Sequence, residues 1–283
     1  MKKILTTVLL VTTISAIYAQ QDVFTRKVGK IEISLLSEAQ RNAKTDILIG
    51  ATPEMIKECA PDGTFPNSMS CYLVKTPEKT VLIDAGLGIK LFDNLKTLRV
   101  DPDRIEAVFL THLHGDHTGG LLKDGKATLP NAEIHISNAE YEKGADNKIF
   151  EPYKGKIRTF EPAEAPGGEQ DALIPGIYGI KAYGHTPGHT VYMIESDGDK
   201  LLIWGDLTHA LAIQAPYPQV AVTYDTDTEK AIAVRKEIFE YVSKNRIPVA
   251  GMHTAFPGMG TITGNNKGGY VFTPFEFGIA ESE

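Results

Sequence analysis

A single-domain α/β fold is predicted from three observations on the 283-residue chain. Short apolar, β-branched runs recur along most of its length, segments of helical periodicity are interleaved with them, and polar side chains gather where the runs stop. Hydrophobic residues make up 42% of the chain, enough for an ordinary globular core.

The elements follow in order. Residues 30–35, Lys-Ile-Glu-Ile-Ser-Leu, alternate apolar and polar side chains and read as a half-exposed strand. Residues 51–69 are rich in Pro, Gly, Asp and Asn and read as a loop. Residues 71–75 and 80–86, joined by Thr76-Pro77-Glu78-Lys79, form a predicted hairpin that delivers Asp84 to a strand end. Residues 105–110 are a buried strand, and 132–136 another, in which His135 alternates with Ile134 and Ile136 and is read as structural. Ser137 and Glu140 make a capping box for a short helix. Residues 141–176 are broken by Pro152, Pro162, Pro166 and Gly167-Gly168 and read as a long loop, of the kind that often covers a site. Three strands follow at 177–183, 190–195 and 200–204, the last two a hairpin through Ser196-Asp197-Gly198-Asp199. Thr226 and Glu229 cap a helix to about Asn245 with Ala231, Val234, Ile238, Tyr241 and Val242 on one face, and residues 247–253 are a final strand ending in His253.

Met1-Lys2-Lys3, an apolar run at 4–17 and Ala19 read as a signal peptide spanning 1–19, with a mature domain at 20–283; the run is too short to cross a bilayer comfortably. The expected location is therefore periplasmic or secreted, without stable membrane insertion. With 29 Lys and Arg against 36 Asp and Glu, the chain repels phosphate backbones, so nucleic acid is excluded as a partner. Cys59 and Cys71 either bridge a short loop or stand as two separate thiols; spacing alone does not choose.

The densest chemistry lies in Thr111-His112-Leu113-His114-Gly115-Asp116-His117-Thr118-Gly119-Gly120. Three imidazoles and a carboxylate within six positions, at the end of a strand, are metal ligands rather than loop hydrogen bonders. Asp84, His189, Asp206 and His253 stand at four more strand ends. Together these groups suffice for two metal ions.

His-x-His-x-Asp-His at 112–117, Pro-Gly-His at 187–189, Gly-Asp at 205–206 and the late His253 resemble the ordered motifs of the metallo-β-lactamase superfamily across nearly all of the mature chain. The resemblance implies a four-layered αββα sandwich with two mixed β-sheets. It places His112, His114 and His189 on one Zn2+ and Asp116, His117 and His253 on a second, with Asp206 bridging. Asp84 would orient one ligand imidazole, His185 would stay structural, and Trp204 would be core. Asp206, where true β-lactamases of the family carry Cys or Ser, points to two-metal hydrolases, and His114 argues against the flavodiiron oxidases, which would have Glu there.

Residues 202–210, with Gln214 and Pro216, and residues 251–258 are similar to the exported branch holding methyl parathion hydrolases and N-acyl homoserine lactone lactonases. His209 stands where the lactonases often carry a tyrosine and is the expected donor to a substrate oxygen. The implied reaction is lactone opening by a metal-bridging hydroxide, with Asp116 orienting the nucleophile or passing its proton on. The partner is a small-molecule lactone or ester, and the resemblance leans towards a homodimer. The alternatives are a phosphotriesterase or aryl esterase of the parathion-hydrolase type, then a β-lactamase. Phe256 and Met259 either line an acyl pocket or only shape their loop.

Overall fold

The computed structural model describes residues 21–168 and 171–276. The expected signal peptide lies outside the described residues.

Two mixed sheets are built in chain order. The first has seven strands, Val23–Val28, Ile31–Lys44, Thr64–Lys75, Thr80–Ile83, Ala107–Phe109, Glu133–Ser137 and Ile157–Phe160, neighbours in space as in sequence. Its first four strands are antiparallel and its last four pair in parallel. The second has six, Ile177–Lys181, Thr190–Ser196, Asp199–Ile203, Val249–Ala250, Met259–Gly264 and Tyr270–Pro274, parallel only where Asp199–Ile203 meets Val249–Ala250.

Side-chain alternation explains the layers. Ile33, Tyr72, Val81, Ile83 and Phe109 of the first sheet meet Tyr192, Ile194, Leu201 and Ile203 of the second in one core between the sheets. Their neighbours Leu36, Cys71, Leu73, Leu82 and Val108 point the other way, against Leu91 and Leu95 of the helix Leu91–Thr97. Val191, Met193, Leu202 and Trp204 do the same on the second sheet, under Ile238, Phe239 and Val242 of the helix Thr228–Asn245. Helix, sheet, sheet, helix is thus the predicted αββα order. Trp204 is core, with its ring 5.6 Å from that of Phe239.

Several local expectations are corrected. Residues 51–69 are not a loop: Thr52 caps a helix at Pro53–Cys59, with Pro at its first position where no N–H is needed, and a strand starts at Thr64. Residues 141–176 hold a 3-10 segment, Lys148–Tyr153, and the half-exposed edge strand Ile157–Phe160, whose mixed pattern hides it from periodicity. The helix cap at 226 is Asp227, which accepts from Lys230 N–H, while Thr226 Oγ1 donates to His185 O. The strand before His253 is not the last, because two more close the second sheet. Cys59 and Cys71 are both free thiols. His135 is structural as expected, its ring tilted by 33° against that of Phe109 at 4.5 Å.

Tyr72 ties the sheets together at the level of the site: its buried hydroxyl donates towards Gly251 O at 3.0 Å and Gly258 O at 3.2 Å. Tyr72→Phe removes the donor without removing apolar area. It should lower unfolding free energy by about 1–3 kcal/mol, read as a shift in the urea midpoint at unchanged slope.

Candidate metal centre

Strand ends and the turns that follow them bring the histidines to one rim of the sandwich. Leu110 continues the strand Ala107–Phe109, with its N–H donating to His135 O, and Thr111 O takes the N–H of Thr190 from the second sheet. The His112–His117 turn is therefore held between the sheets from its first residue. Asp84 follows its own strand in a left-handed conformation (φ 58°) that turns its carboxylate back under this segment. Asp84 Oδ1 accepts Thr111 N–H at 2.7 Å; Oδ2 accepts Thr111 Oγ1 at 2.8 Å and His117 Nδ1 at 2.7 Å. A carboxylate only accepts, so His117 carries its proton on Nδ1 and presents the Nε2 lone pair to the centre. Asp84 is thus the expected orienting group.

The other imidazoles are pinned in the same way. His253 Nδ1 donates to Ser68 O at 2.9 Å, and His185 Nδ1 to Asp225 Oδ1 at 3.1 Å. His112 Nδ1 lies 3.0 Å from Thr111 Oγ1, whose hydrogen is given to Asp84, so the ring donates there too. The inner nitrogens of these rings and of His209 then face the Asp206 carboxylate, while His114 Nδ1 lies 3.1 Å from His185 Nε2. Oδ2 lies 3.7 Å from His112 Nε2, 3.2 Å from His185 Nε2, 3.0 Å from His209 Nε2 and 3.2 Å from His253 Nε2, while Oδ1 is 3.0 Å from His117 Nε2. Burial raises the Asp206 pKa, but the surrounding imidazoles more than reverse this and hold the carboxyl well below the usual range.

Three overlapping groups of possible ligands emerge. His112, His114, His185 and Asp206 offer atoms within 4.8 Å of one another, as do Asp116, His117 and His253, and as do Asp206, His209 and His253. Asp206 connects the first two, with Oδ2 towards His112, His185 and His253 and Oδ1 towards His117. His112 Nε2, His117 Nε2 and Asp206 Oδ1 are buried without a hydrogen-bond partner, the state expected of atoms arranged for a cation. Neutral imidazole and carboxylate donors in these numbers fit a divalent metal.

In the structure it is His185, and not the expected His189, whose nitrogen lies in the group with His112, His114 and Asp206. His189 Nδ1 donates to Ala182 O at 3.0 Å and its Nε2 accepts the N–H of Asp206 at 3.1 Å, so both nitrogens are turned to the backbone, whereas His185 Nε2 faces His114 Nδ1 at 3.1 Å and Asp206 Oδ2 at 3.2 Å. Burial pushes its pKa down to about 3, which keeps the ring neutral and able to accept. Its task is to hold the backbone of Asp206. Gly205 precedes that residue at φ 54°, where a Cβ would come within 2.6 Å of His189 Nε2. The two histidines of Gly184-His185-Thr186-Pro187-Gly188-His189 are both strand-end imidazoles, and spacing gave no ground for choosing the first.

His209 is in the centre, as expected. Its ring is stacked on His253 at 4.7 Å and an interplanar angle of 19°, with Tyr224 5.5 Å away on the solvent side. Burial pulls its pKa down to about 4, so at neutral pH it is a neutral donor-acceptor. Gln214 Oε1 accepts from His209 N–H at 2.8 Å, and Asn67 Nδ2 donates to His209 O at 2.8 Å, fixing the loop on both sides.

A cavity of about 410 Å³ opens over His114, Asp116, Asp206, His209 and His253. Arg41, Asn42 and Lys44, at the far end of the strand Ile31–Lys44, and Tyr224 form its outer wall. The sequence does not announce this wall, because exposed polar residues at a strand end carry no pattern, nor Asp225, whose buried carboxylate is explained only by the His185 it meets across the fold. Residues 141–168 contribute nothing to it. Met259 is fully buried and Phe256 packs beside it in the core between the sheets, so neither lines the cavity.

The description Metallo-beta-lactamase superfamily matches residues 65–245. An N-acyl homoserine lactonase of Bacillus cereus is 25% identical over 207 residues, 62% of this chain and 77% of that protein. The lactamase-like protein ptaB of Pestalotiopsis fici is 32% identical over 139 residues, 46% of this chain but only 39% of its own length. Among solved structures, AbOPH, a hydrolase in the beta lactamase superfamily, aligns with a TM-score of 0.81 and 26% identity over 91% of this chain and 98% of its own. AidC, a dizinc quorum-quenching lactonase, aligns with a TM-score of 0.81 and 24% identity over 90% and 98%, a likeness of fold.

Exchanging the two neighbouring histidines in turn checks the assignment. His185→Ala should lower the divalent metal retained per chain, measured by elemental analysis after dialysis. His189→Ala should retain more metal than His185→Ala. The reverse order would restore His189 as the ligand.

Proposed function

The chain belongs to the metallo-beta-lactamase superfamily of hydrolases, and on that basis we propose that it is an exported dinuclear zinc enzyme that opens the ring of N-acyl homoserine lactones, a quorum-quenching activity. The shared Asp206 carboxylate carries this proposal most directly. It joins the two ligand groups into one centre, and lactonases stand among the relatives.

His112, His114, His185 and Asp206 would hold one ion, and Asp116, His117, His253 and Asp206 the other. When bound there, a divalent pair supplies Lewis acidity towards a carbonyl and water whose pKa is lowered to about 7. The protein's own groups do the rest. Asp116, about a quarter exposed and 3.5 Å from His253 Nε2, is the cavity-facing carboxylate that orients the attacking water and carries its proton to the departing alkoxide. His209, neutral and fixed by Gln214 and Asn67, donates to the carbonyl or ring oxygen of the substrate. Water adds to the acyl carbon, the ring C–O bond breaks, and the products are one carboxylate and one hydroxyl.

One observation favours a second substrate class, aryl esters and aryl phosphotriesters. The half-exposed Tyr224 ring stands 5.5 Å from His209 at the cavity mouth, tilted by 46°, an aromatic surface that an aromatic leaving group can meet.

Ring opening of N-hexanoyl homoserine lactone by the zinc-loaded protein, followed as acid release with a pH indicator, separates these. Turnover that is lost in Asp206→Ala is the expected result. A protein carrying two zinc ions that leaves the lactone intact but cleaves aryl esters would transfer the assignment to the second class.

A further inference from the structure

Glu140 sits behind the metal centre on the helix Asn138–Gly144. It is 4% exposed and forms no ion pair among the described residues. The helix start at Ser137 is capped as the sequence predicts, by Ser137 Oγ accepting Glu140 N–H at 3.2 Å. The Glu140 carboxylate, however, is spent elsewhere. Oε1 accepts Leu113 N–H at 3.1 Å, and Oε2 accepts Thr186 Oγ1 at 2.7 Å and Gly188 N–H at 2.9 Å. Leu113 stands between His112 and His114, and Thr186 and Gly188 belong to the loop that carries His185. One buried carboxylate therefore grips both ligand-bearing loops.

The helix leaves these loops no slack. Ser137 Oγ also donates to Gly188 O at 2.7 Å. A Cβ on Gly188 would collide with the Glu140 backbone, and one on Gly144 with the Leu113 side chain. A buried carboxylate without a cation is costly unless its oxygens are saturated by donors, and here two backbone N–H groups and a hydroxyl saturate them. The holders of the other half do not touch Glu140: Asp84 orients His117 and Ser68 O orients His253.

We propose that Glu140 is a positioning residue that sets the gap between the His112–His114 turn and the His185 loop, and thereby the affinity of that half of the centre for its metal ion. The inference rests on the metal centre proposed above. It makes Glu140 act on one ion of two.

Competition of the metal-free full-length protein with a chromophoric chelator for Zn2+ reads the two affinities without any assay of activity. Glu140→Gln keeps the shape but turns an amide NH2 towards donors. It should weaken one ion by about 10–100-fold, the usual effect of losing a group that holds a ligand in place, and leave the other unchanged. Added to His253→Ala it should weaken the ion that remains; added to His114→Ala it should change nothing. Thr186→Val deletes a single donor and should shift the same ion less, which keeps the test decisive if Glu140→Gln folds poorly. Equal weakening of both ions, or no change in either variant, overturns the proposal. A wild type that takes up fewer than two ions would instead sink the dinuclear reading, and the comparison of Glu140→Gln with wild type at the remaining ion would still decide this one.

Discussion

The structure depends on one buried anion. Asp206 brings a carboxylate to a place that is 2% exposed, and five imidazoles converge on its two oxygens. Isolated there, the charge would cost several kcal/mol. The outer nitrogens of His112, His117, His185 and His253 are each spoken for, by Thr111, Asp84, Asp225 and Ser68. Inner lone pairs then face carboxylate lone pairs, an arrangement that demands positive charge. Burial alone would lower the pKa of His117, yet the Asp206 and Asp84 carboxylates drive it well above its ordinary value. Proton or metal ion, the centre calls for a cation.

The rest of the molecule can be read as support for that geometry. The sheets put their strand ends on one rim, the usual place for chemistry in open α/β sheets, and the core between them fixes the rim's width. Arg235 extends the support outward. Buried on the long helix, it donates to Leu207 O, Pro218 O and Val220 O and lies 3.8 Å from Asp225, the group that orients His185. A guanidinium turned inward from an amphipathic helix is explained by those acceptors, which an aliphatic side chain would leave unpaired.

Much of this was legible in the residues. The 112–117 cluster, the hairpins and the apolar runs announced a layered α/β fold with ligands at strand ends, because a buried strand and a dense ligand set each leave a local signature. What was not legible was set by tertiary contacts. His185 and His189 have the same neighbours in sequence and differ only in what their outer nitrogens meet across the fold. Arg41, Lys44 and Tyr224 become a cavity wall only because the 14-residue strand Ile31–Lys44 runs on, paired to Thr64–Lys75, and because the separate strand Leu48–Ile49 that follows it pairs with Ala221–Val222. The edge strand Ile157–Phe160 was hidden for a related reason: one open edge lets it alternate imperfectly.

The ligands are drawn from both halves of the sandwich. His112, His114, Asp116 and His117 follow strands of the first sheet, whereas His185, Asp206 and His253 follow strands of the second. A metal ion shared among them is therefore a cross-link between segments more than 70 positions apart in the chain, closing loops that the unfolded polypeptide would leave open. Because the unfolded chain keeps only the His112–His117 part of this set together, free metal and folded protein are linked through mass action, each tenfold rise in metal above its dissociation constant adding at most about 1.4 kcal/mol to stability. Chelation then acts on the whole sandwich and not on its rim alone, and occupancy becomes a variable of folding as much as of catalysis.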